Sequence, residues 1–276
     1  MQVKYTHSGL IYMNSEDDCY KIVDVMLATD YDGEFCVAEG FDPEFTARLM
    51  EAGFLIMSMG FPQDDTKQKN TDAIYIMLPK LHLVRSALFF ENLHIKKSIR
   101  RFLNRYELKT DVEFERIIDC CVEKHGADWL TPPLVDCIKK IRYAAIKRFN
   151  DGSPTAPEHL PKPGFSLNPG LFPKSGFYPK PFAYPASFAL YRDGELVAGE
   201  FGVICGRIYT SYSGFYYEDN AGTVQLILAA QYLQEHGFSY FDMGMPMDYK
   251  NDLGAVDISP QEFVKLFRDA QVISDD

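Results

Sequence analysis

The first residues whose chemistry can be named lie in "NLHIKKSIRRF", residues 92–102. With Arg105, Lys96, Lys97, Arg100 and Arg101 crowd five fixed positive charges beside the imidazole of His94. Lys and Arg on one face supply contacts to a phosphate backbone that position a nucleic acid without reading its sequence. The same run could also be an ordinary solvated helix face. The background favours a specific polyanion site: the chain carries 39 acidic against 28 basic side chains, a formal net charge of −11. Residues 1–80 hold 6 basic and 14 acidic side chains, whereas residues 94–148 hold 13 basic and 8 acidic ones. An acidic remainder repels phosphate, so nonspecific coating by nucleic acid is excluded.

Other chemistries leave no signature. There is no HExxH, Walker loop or GxGxxG, and the six histidines show no metal-ligand spacing, so neither a metal nor a cofactor is expected. The cysteines at 19, 36, 120, 121, 137 and 205 form no CxxC or framework pattern. Reduced, buried thiols in the cytoplasm fit them. No apolar run approaches the roughly 20 residues that span a bilayer, and the N-terminus lacks the apolar core of a signal peptide, so no membrane partner is expected.

The elements that must position the basic run follow from periodicity. A helix over about 94–106 is striped by Ile95, Ile99 and Phe102, leaving the cations on its wetter faces. "DPEFTARLMEAGF" reads as a helix stopped by Gly53, and "AIYIMLP" (73–79) as a strand closed by Pro79. Helices follow over 111–124 and about 133–148; Thr131 is the expected cap of the second, with prolines in its first positions. Residues 150–185 hold nine of the sixteen prolines and six aromatics. That density forbids helix and central strand, so an extended loop is expected, packed on the body or lying as a lid over a ligand. Beyond it, "SFALYRDGELVAGEFGVICGRIYTSYSGF" reads as three strands joined by an Asp-Gly hairpin and a second turn. A helix at about 222–236 stopped by Gly237, a strand in "FSYFDMGMP", and a last helix capped by Ser259 complete the unit. The fold class is therefore α+β: a small N-terminal α/β domain (1–90), a basic helical segment (91–149), the proline-rich insertion (150–185), and a C-terminal unit (186–276) of mixed sheet flanked by helices.

This order of strands and helices, with an acid ending the strand after the helix, resembles the acyltransferase half of the GNAT superfamily. More specifically, the chain resembles leucyl/phenylalanyl-tRNA–protein transferases. "FENLHIKKSIRRF", "DWLT", "DGELVAGEFGV", "DNAGTVQLILAAQYLQEHGF", "FDMG" and "LGAVDISPQEF" carry the likeness, in matching order from about Ala38 to Leu266, apart from the insertion. The resemblance implies transfer of an amino acid from the 3′ acceptor end of an aminoacyl-tRNA to a protein or peptide N-terminus, an N-degron reaction. It implies that the tRNA lies on Lys96, Lys97, Arg100, Arg101 and Arg105. Asp242 becomes the candidate to orient and deprotonate the amine, and Tyr212 and Ser213 the donors near the oxyanion. Trp129, Gly214, Phe215, Asn220 and Gly244 are the implied substrate-binding positions. Asp242 could equally be a structural cap or ion-pair partner.

The departures concern the same site. The family's Gly-Glu-Ser-Met-Phe is "SYSGF" here, replacing Glu by Tyr212 and Met by Gly214. Its Asp-Cys-Gln is Asp242, Met243, Gly244, without the Gln. Weak or absent transfer of leucine or phenylalanine, with another donor or acceptor, is the expectation. Two alternatives stay open: an acyl-CoA N-acyltransferase, and an inactive tRNA- or peptide-binding homologue. Against the first, Glu218 and Asp219 precede the helix where a pyrophosphate would dock.

Overall fold

The structure, a computed structural model, describes residues 3–29, 31, 33–61, 73–150 and 183–272. Its N-terminal part contains strands β1 (Lys4–Tyr5) and β2 (Ile11–Met13), helix α1 (Cys19–Ala28), β3 (Cys36–Ala38), helix α2 (Pro43–Glu51), β4 (Leu55–Phe61) and β5 (Ile74–Lys80). Asp42 caps α2 by accepting from the Phe45 amide, and Phe45, Leu49 and Met50 face inward as the spacing predicts. These strands form a five-stranded mixed sheet in the order β1-β2-β3-β5-β4.

The next strand, β6 (Arg85–Leu88), leaves that sheet. It inserts into a seven-stranded sheet between two strands from the far end of the chain, β11 (Tyr240–Asp242) and β12 (Val256–Ile258). The remaining elements are helix α3 (Lys97–Arg100), β7 (Glu107–Thr110), helices α4 (Phe114–His125) and α5 (Pro132–Asn150), β8 (Ala183–Arg192), β9 (Glu195–Cys205), β10 (Ile208–Tyr216), α6 (Ala221–Glu235), α7 (Asp248–Asp252) and α8 (Pro260–Asp269). The order of this larger sheet is β12-β6-β11-β10-β9-β8-β7, with β10 and β11 parallel and the other pairs antiparallel. The chain is α+β, as its sequence implies.

Period-two alternation makes β9 serve two cores. Phe201, Val203 and Cys205 join α4 and the N-terminal elements, while Ala198 and Ile204 face α6. Helix α8 buries Phe263 and Phe267 over Gly53, whose φ of +101° stops α2 and suits glycine. The Asp193-Gly194 hairpin has φ of +53° and +85°, as a tight turn between twisted strands requires.

Three expectations are corrected. The helix over 94–106 is only Lys97–Arg100 followed by a 3-10 turn at Leu103–Arg105, because the chain must turn there to enter β7. Helix α4 starts at Phe114, since Asp111 and Glu113 are left-handed at φ of +57° and +50°. Thr131 stands at the cap position expected for it, directly before the two prolines of α5 and with its carbonyl accepting from the Val135 amide, and its hydroxyl bonds Ser58 Oγ at 2.6 Å. The proline-rich stretch does not extend to 185: Ala183–Pro185 open β8, and Pro185 pairs with Val203. On its other side β7 pairs with β8 only from Phe188 onward, so no strand there needs a Pro185 amide, and its carbonyl accepts from Arg142 Nη1 at 2.8 Å. The rest of the insertion, 151–182, lies outside the described residues.

Candidate active site

The larger sheet opens at one point. Strands β10 and β11 pair over three residues, Ile208↔Tyr240, Tyr209↔Phe241 and Thr210↔Asp242. After Asp242 the chain turns at Gly244 (φ +75°), whose carbonyl accepts from the Ser86 amide at 2.7 Å. β10 continues to Tyr216, held by β9 alone. A notch therefore lies beyond Thr210 and Asp242, at the carboxyl ends of two parallel strands, where such sheets commonly bind ligands. A β-bulge between Ser211 and Ser213 makes Tyr212 the extra residue and re-aims this stretch of β10.

Asp242 is wholly buried, and its carboxylate is fully occupied. Arg85 donates through Nε to Oδ1 at 2.8 Å and through Nη2 to Oδ2 at 2.7 Å. Thr210 Oγ1 adds a bond to Oδ2 at 2.8 Å, and the Gly244 amide one to Oδ1 at 3.0 Å. Of the two roles open to Asp242 in the sequence, this geometry is that of the ion pair. Four donors account for about four lone-pair sites, leaving none for an amine. The Arg85 guanidinium also stacks 4.3 Å from the Phe263 ring centroid. The pair thus pins α8 and the Gly244 turn to β6.

Tyr212 points to the same face. Its hydroxyl accepts from the Ile56 amide of β4 at 3.3 Å, and burial pushes its phenol above the usual range. With Arg85, Thr210 and Phe267 it lines a cavity of about 10 Å³, room for about one water. Trp129 is partly buried against the same core, and its carbonyl accepts from Ser58. Ser213 and Gly214 instead present carbonyls to α4, accepting from Cys121 Sγ at 3.4 Å and pairing with His125 Nε2 at 2.7 Å. Phe215 is buried, and exposed Asn220 (φ +69°) precedes α6 without a side-chain cap. The structure thus gathers Asp242, Tyr212 and Gly244 around the notch, with Ser213 and Gly214 along its β10 side.

The sequence reading passes over the groups on the opposite face. Glu200 has the parity of Ala198 and Ile204, so it turns toward α6. It is 2% exposed and accepts from Ser211 Oγ at 2.8 Å through Oε2, while Oε1 has no hydrogen-bond partner. Gln225 of α6 is also buried, with Nε2 unpartnered. Burial raises the Glu200 carboxyl to about 7; Ser211, Gln225 and Lys250 act against that rise. Lys250 of α7 is buried, and its ammonium donates to the carbonyls of Met243 at 2.5 Å and Met245 at 2.7 Å. Burial lowers it to about 8, opposed by Asp242 and Glu200. One carboxylate inside the apolar run "LVAGEFGVIC" is the signal that could have revealed Glu200.

The basic run is exposed and joins the site through α7. Lys96 pairs with Asp252 at 2.6 Å, and the His94 amide donates to Leu253. Gly254 (φ +96°) fits under this segment because a Cβ there would lie 2.0 Å from the Asn92 carbonyl oxygen. Arg101 and Arg105 lie over the Phe102 ring at 4.8 and 5.0 Å. Lys97 and Arg100 are also exposed, and Arg100 donates to the Ile95 carbonyl. Among the described residues no helix is long and apolar enough to cross a membrane. Nor does any cluster of three or more His, Cys, Asp or Glu side chains among them suit a metal ion.

Residues 180–268 match the sequence model of the family described as leucyl/phenylalanyl-tRNA protein transferase. A leucyl/phenylalanyl-tRNA–protein transferase of Pseudomonas entomophila is 28% identical over 181 residues, 65% of this chain and 65% of the relative. The chain thus spans just under two thirds of that relative's length. One from Campylobacter jejuni is 22% identical over 232 residues, covering 82% and 85%. Among solved structures the overlay is loose: L-PGS from Bacillus licheniformis gives a TM-score of 0.36 at 13% identity, over 97% of this chain and 88% of the other.

Proposed function

We propose that this chain, a divergent member of the leucyl/phenylalanyl-tRNA protein transferase family, transfers an amino acid from the 3′ end of an aminoacyl-tRNA to the N-terminus of a protein or peptide. The observation that carries this reading is the location of the family match: 180–268 spans β8 to α8, the elements that build the notch. The exposed cations at 96–105 suit the phosphates of an acceptor stem, and α7 links them to the notch. The cysteines of the chain are free thiols, in keeping with work in the cytoplasm, where such a product would be marked for degradation.

The reaction joins an amine to an ester carbonyl, so it needs donors for the oxyanion and an acceptor for the amine proton. Ser213 and Tyr212 are the donors nearest the family's lost Glu. Asp242 serves the reaction by holding the Gly244 turn and, through Arg85, the shape of the notch. Trp129, Phe215, Gly214 and Asn220 would border the aminoacyl group and its acceptor. Glu-to-Tyr and Gln-to-Gly replacements make leucine and phenylalanine poor donors, because losing one well-placed polar group costs about 10²–10³-fold in rate.

The test offers tRNAs charged with each labelled amino acid to peptides beginning with Lys or Arg. Transfer of one amino acid or a narrow set, with leucine and phenylalanine weak, is the expected result. No transfer from any charged tRNA would overturn the reading, and protection against heating by acetyl-CoA would replace it with the acyl-CoA alternative.

A further inference from the structure

Two buried carboxylates border the notch from opposite faces of the sheet, and their surroundings differ. Asp242 is saturated by four donors. Glu200 has one oxygen on the Ser211 hydroxyl and lies beside the Gln225 amide, which favours its charged form. Ser211 is half-buried and is the first residue of β10 beyond the last pair with β11, and its carbonyl lies against Gly244. It therefore stands between the enclosed carboxyl and the open notch. The other groups at the notch that could take a proton from an amine are less suited. Tyr212 accepts from a backbone amide, and Lys250 is spent on two carbonyls.

We propose that Ser211 and Glu200 form the proton path for the incoming amine, a role that rests on the aminoacyl-transfer reading. As the nitrogen bonds to the acyl carbon, its proton passes to Ser211 Oγ while the Ser211 proton passes to Glu200 Oε2. When the ester C–O bond breaks, Glu200 returns the proton by the same hydroxyl to the departing ribose oxygen. One amide and one alcohol result from one ester and one amine, and the carboxylate is restored. Ser211 touches the reacting nitrogen; Glu200 acts through it as the proton store.

The surroundings fit that task. The titratable and charged groups around Glu200 are Tyr209 on β10, Tyr249 and Lys250 on α7, with the Gln225 amide on α6, and Cys121 of α4 across the sheet. Burial raises Tyr209, Cys121 and Tyr249, which keeps them neutral near pH 7, so Lys250 is the single formal charge among them. A carboxyl at about 7 is matched to a peptide α-amine, which titrates at about 7.7–8.

Glu200→Gln keeps the shape, Glu200→Asp keeps the acid, and Ser211→Ala breaks the path. In single-turnover transfer with the best donor, the wild-type rate should rise with pH through a midpoint near 7. E200Q and S211A should lose about 10²–10⁴-fold and that limb of the profile, with tRNA affinity unchanged, and E200D should keep the limb. Transfer by E200Q at the wild-type rate with the limb intact overturns the relay and leaves the aminoacyl-transfer reading standing. Infrared difference spectra provide a readout independent of turnover. A buried carboxyl band that fades through neutral pH in wild type, is absent from E200Q, and shifts when an Arg-starting peptide amide is added to wild type but not to S211A supports the relay. This holds even if no charged tRNA is a donor, an outcome that sinks only the transfer reading. The absence of such a titrating band overturns the relay.

Discussion

Asp242→Ala should be first of all a folding defect. The substitution leaves the Arg85 guanidinium buried with its counter-ion gone, its side chain being 1% exposed. It also strips the Thr210 hydroxyl and the Gly244 amide of their acceptor. Removing one partner of a buried pair costs about 3–5 kcal/mol, a large share of the roughly 5–15 kcal/mol that keeps a protein folded. For a chain of this size each kcal/mol is worth about 2–4 °C, so the midpoint should fall by roughly 6–20 °C. Urea and thermal unfolding followed by circular dichroism would measure the loss for D242A, R85L and the R85L/D242L pair. The double variant should be less destabilised than the sum of the singles and closer to wild type than D242A, because an apolar pair leaves no stranded charge. A D242A protein within about 1 kcal/mol of wild type, yet without transfer, would refute this reasoning and return Asp242 to the role of catalytic base.

Replacing Lys97 and Arg100 together by Ala should weaken tRNA binding and flatten its salt dependence by about one unit for each phosphate that is no longer neutralised; an unchanged slope would leave them a solvated face. Glu200 also bears on stability against pH. Its folded pKa of about 7 lies above the ordinary carboxylate value of 4.5, so the folded state keeps a proton that the unfolded chain has released, and stability falls as pH rises from about 4.5 to 7. E200Q should remove up to about 3 kcal/mol of that slope in urea titrations at pH 5 and pH 8, and an identical slope in both proteins would contradict the burial account.

Much of the framework was legible because it is local. Ser259, Gly53 and Gly237 mark helix ends by backbone rules that need no tertiary partner, and the Asp-Gly turn fixes the β8–β9 hairpin. In α5, Leu134, Ile138, Ile141 and Ala145 are buried at helical spacing, a local pattern of the same kind. What stayed hidden depended on distant partners. Nothing near Thr131 announces that Ser58 will claim its hydroxyl, and nothing near Asp242 announces an arginine 157 residues away. Glu200 was hidden differently: a carboxylate in an apolar strand goes unnoticed until the parity of its neighbours shows which face it enters. The basic run kept its exposure but only one turn of its helix, since charge distribution survives a change of backbone that periodicity does not.

The insertion of β6 between β11 and β12 bears on how the chain reaches its fold. Leu88 is registered with Phe241, and Ala87 with both Asp242 and Val256, so closing the sheet joins segments more than 150 residues apart. Such pairings are slow to form, because the entropy of bringing distant ends together is lost before any hydrogen bond repays it. During synthesis β6 emerges early and waits with both edges unpaired while the rest of the chain is made. An open strand edge invites pairing with other chains. The same arrangement that locks Arg85 beneath Asp242 thus gives the newborn polypeptide a long interval of vulnerability, ended only when its last strands arrive.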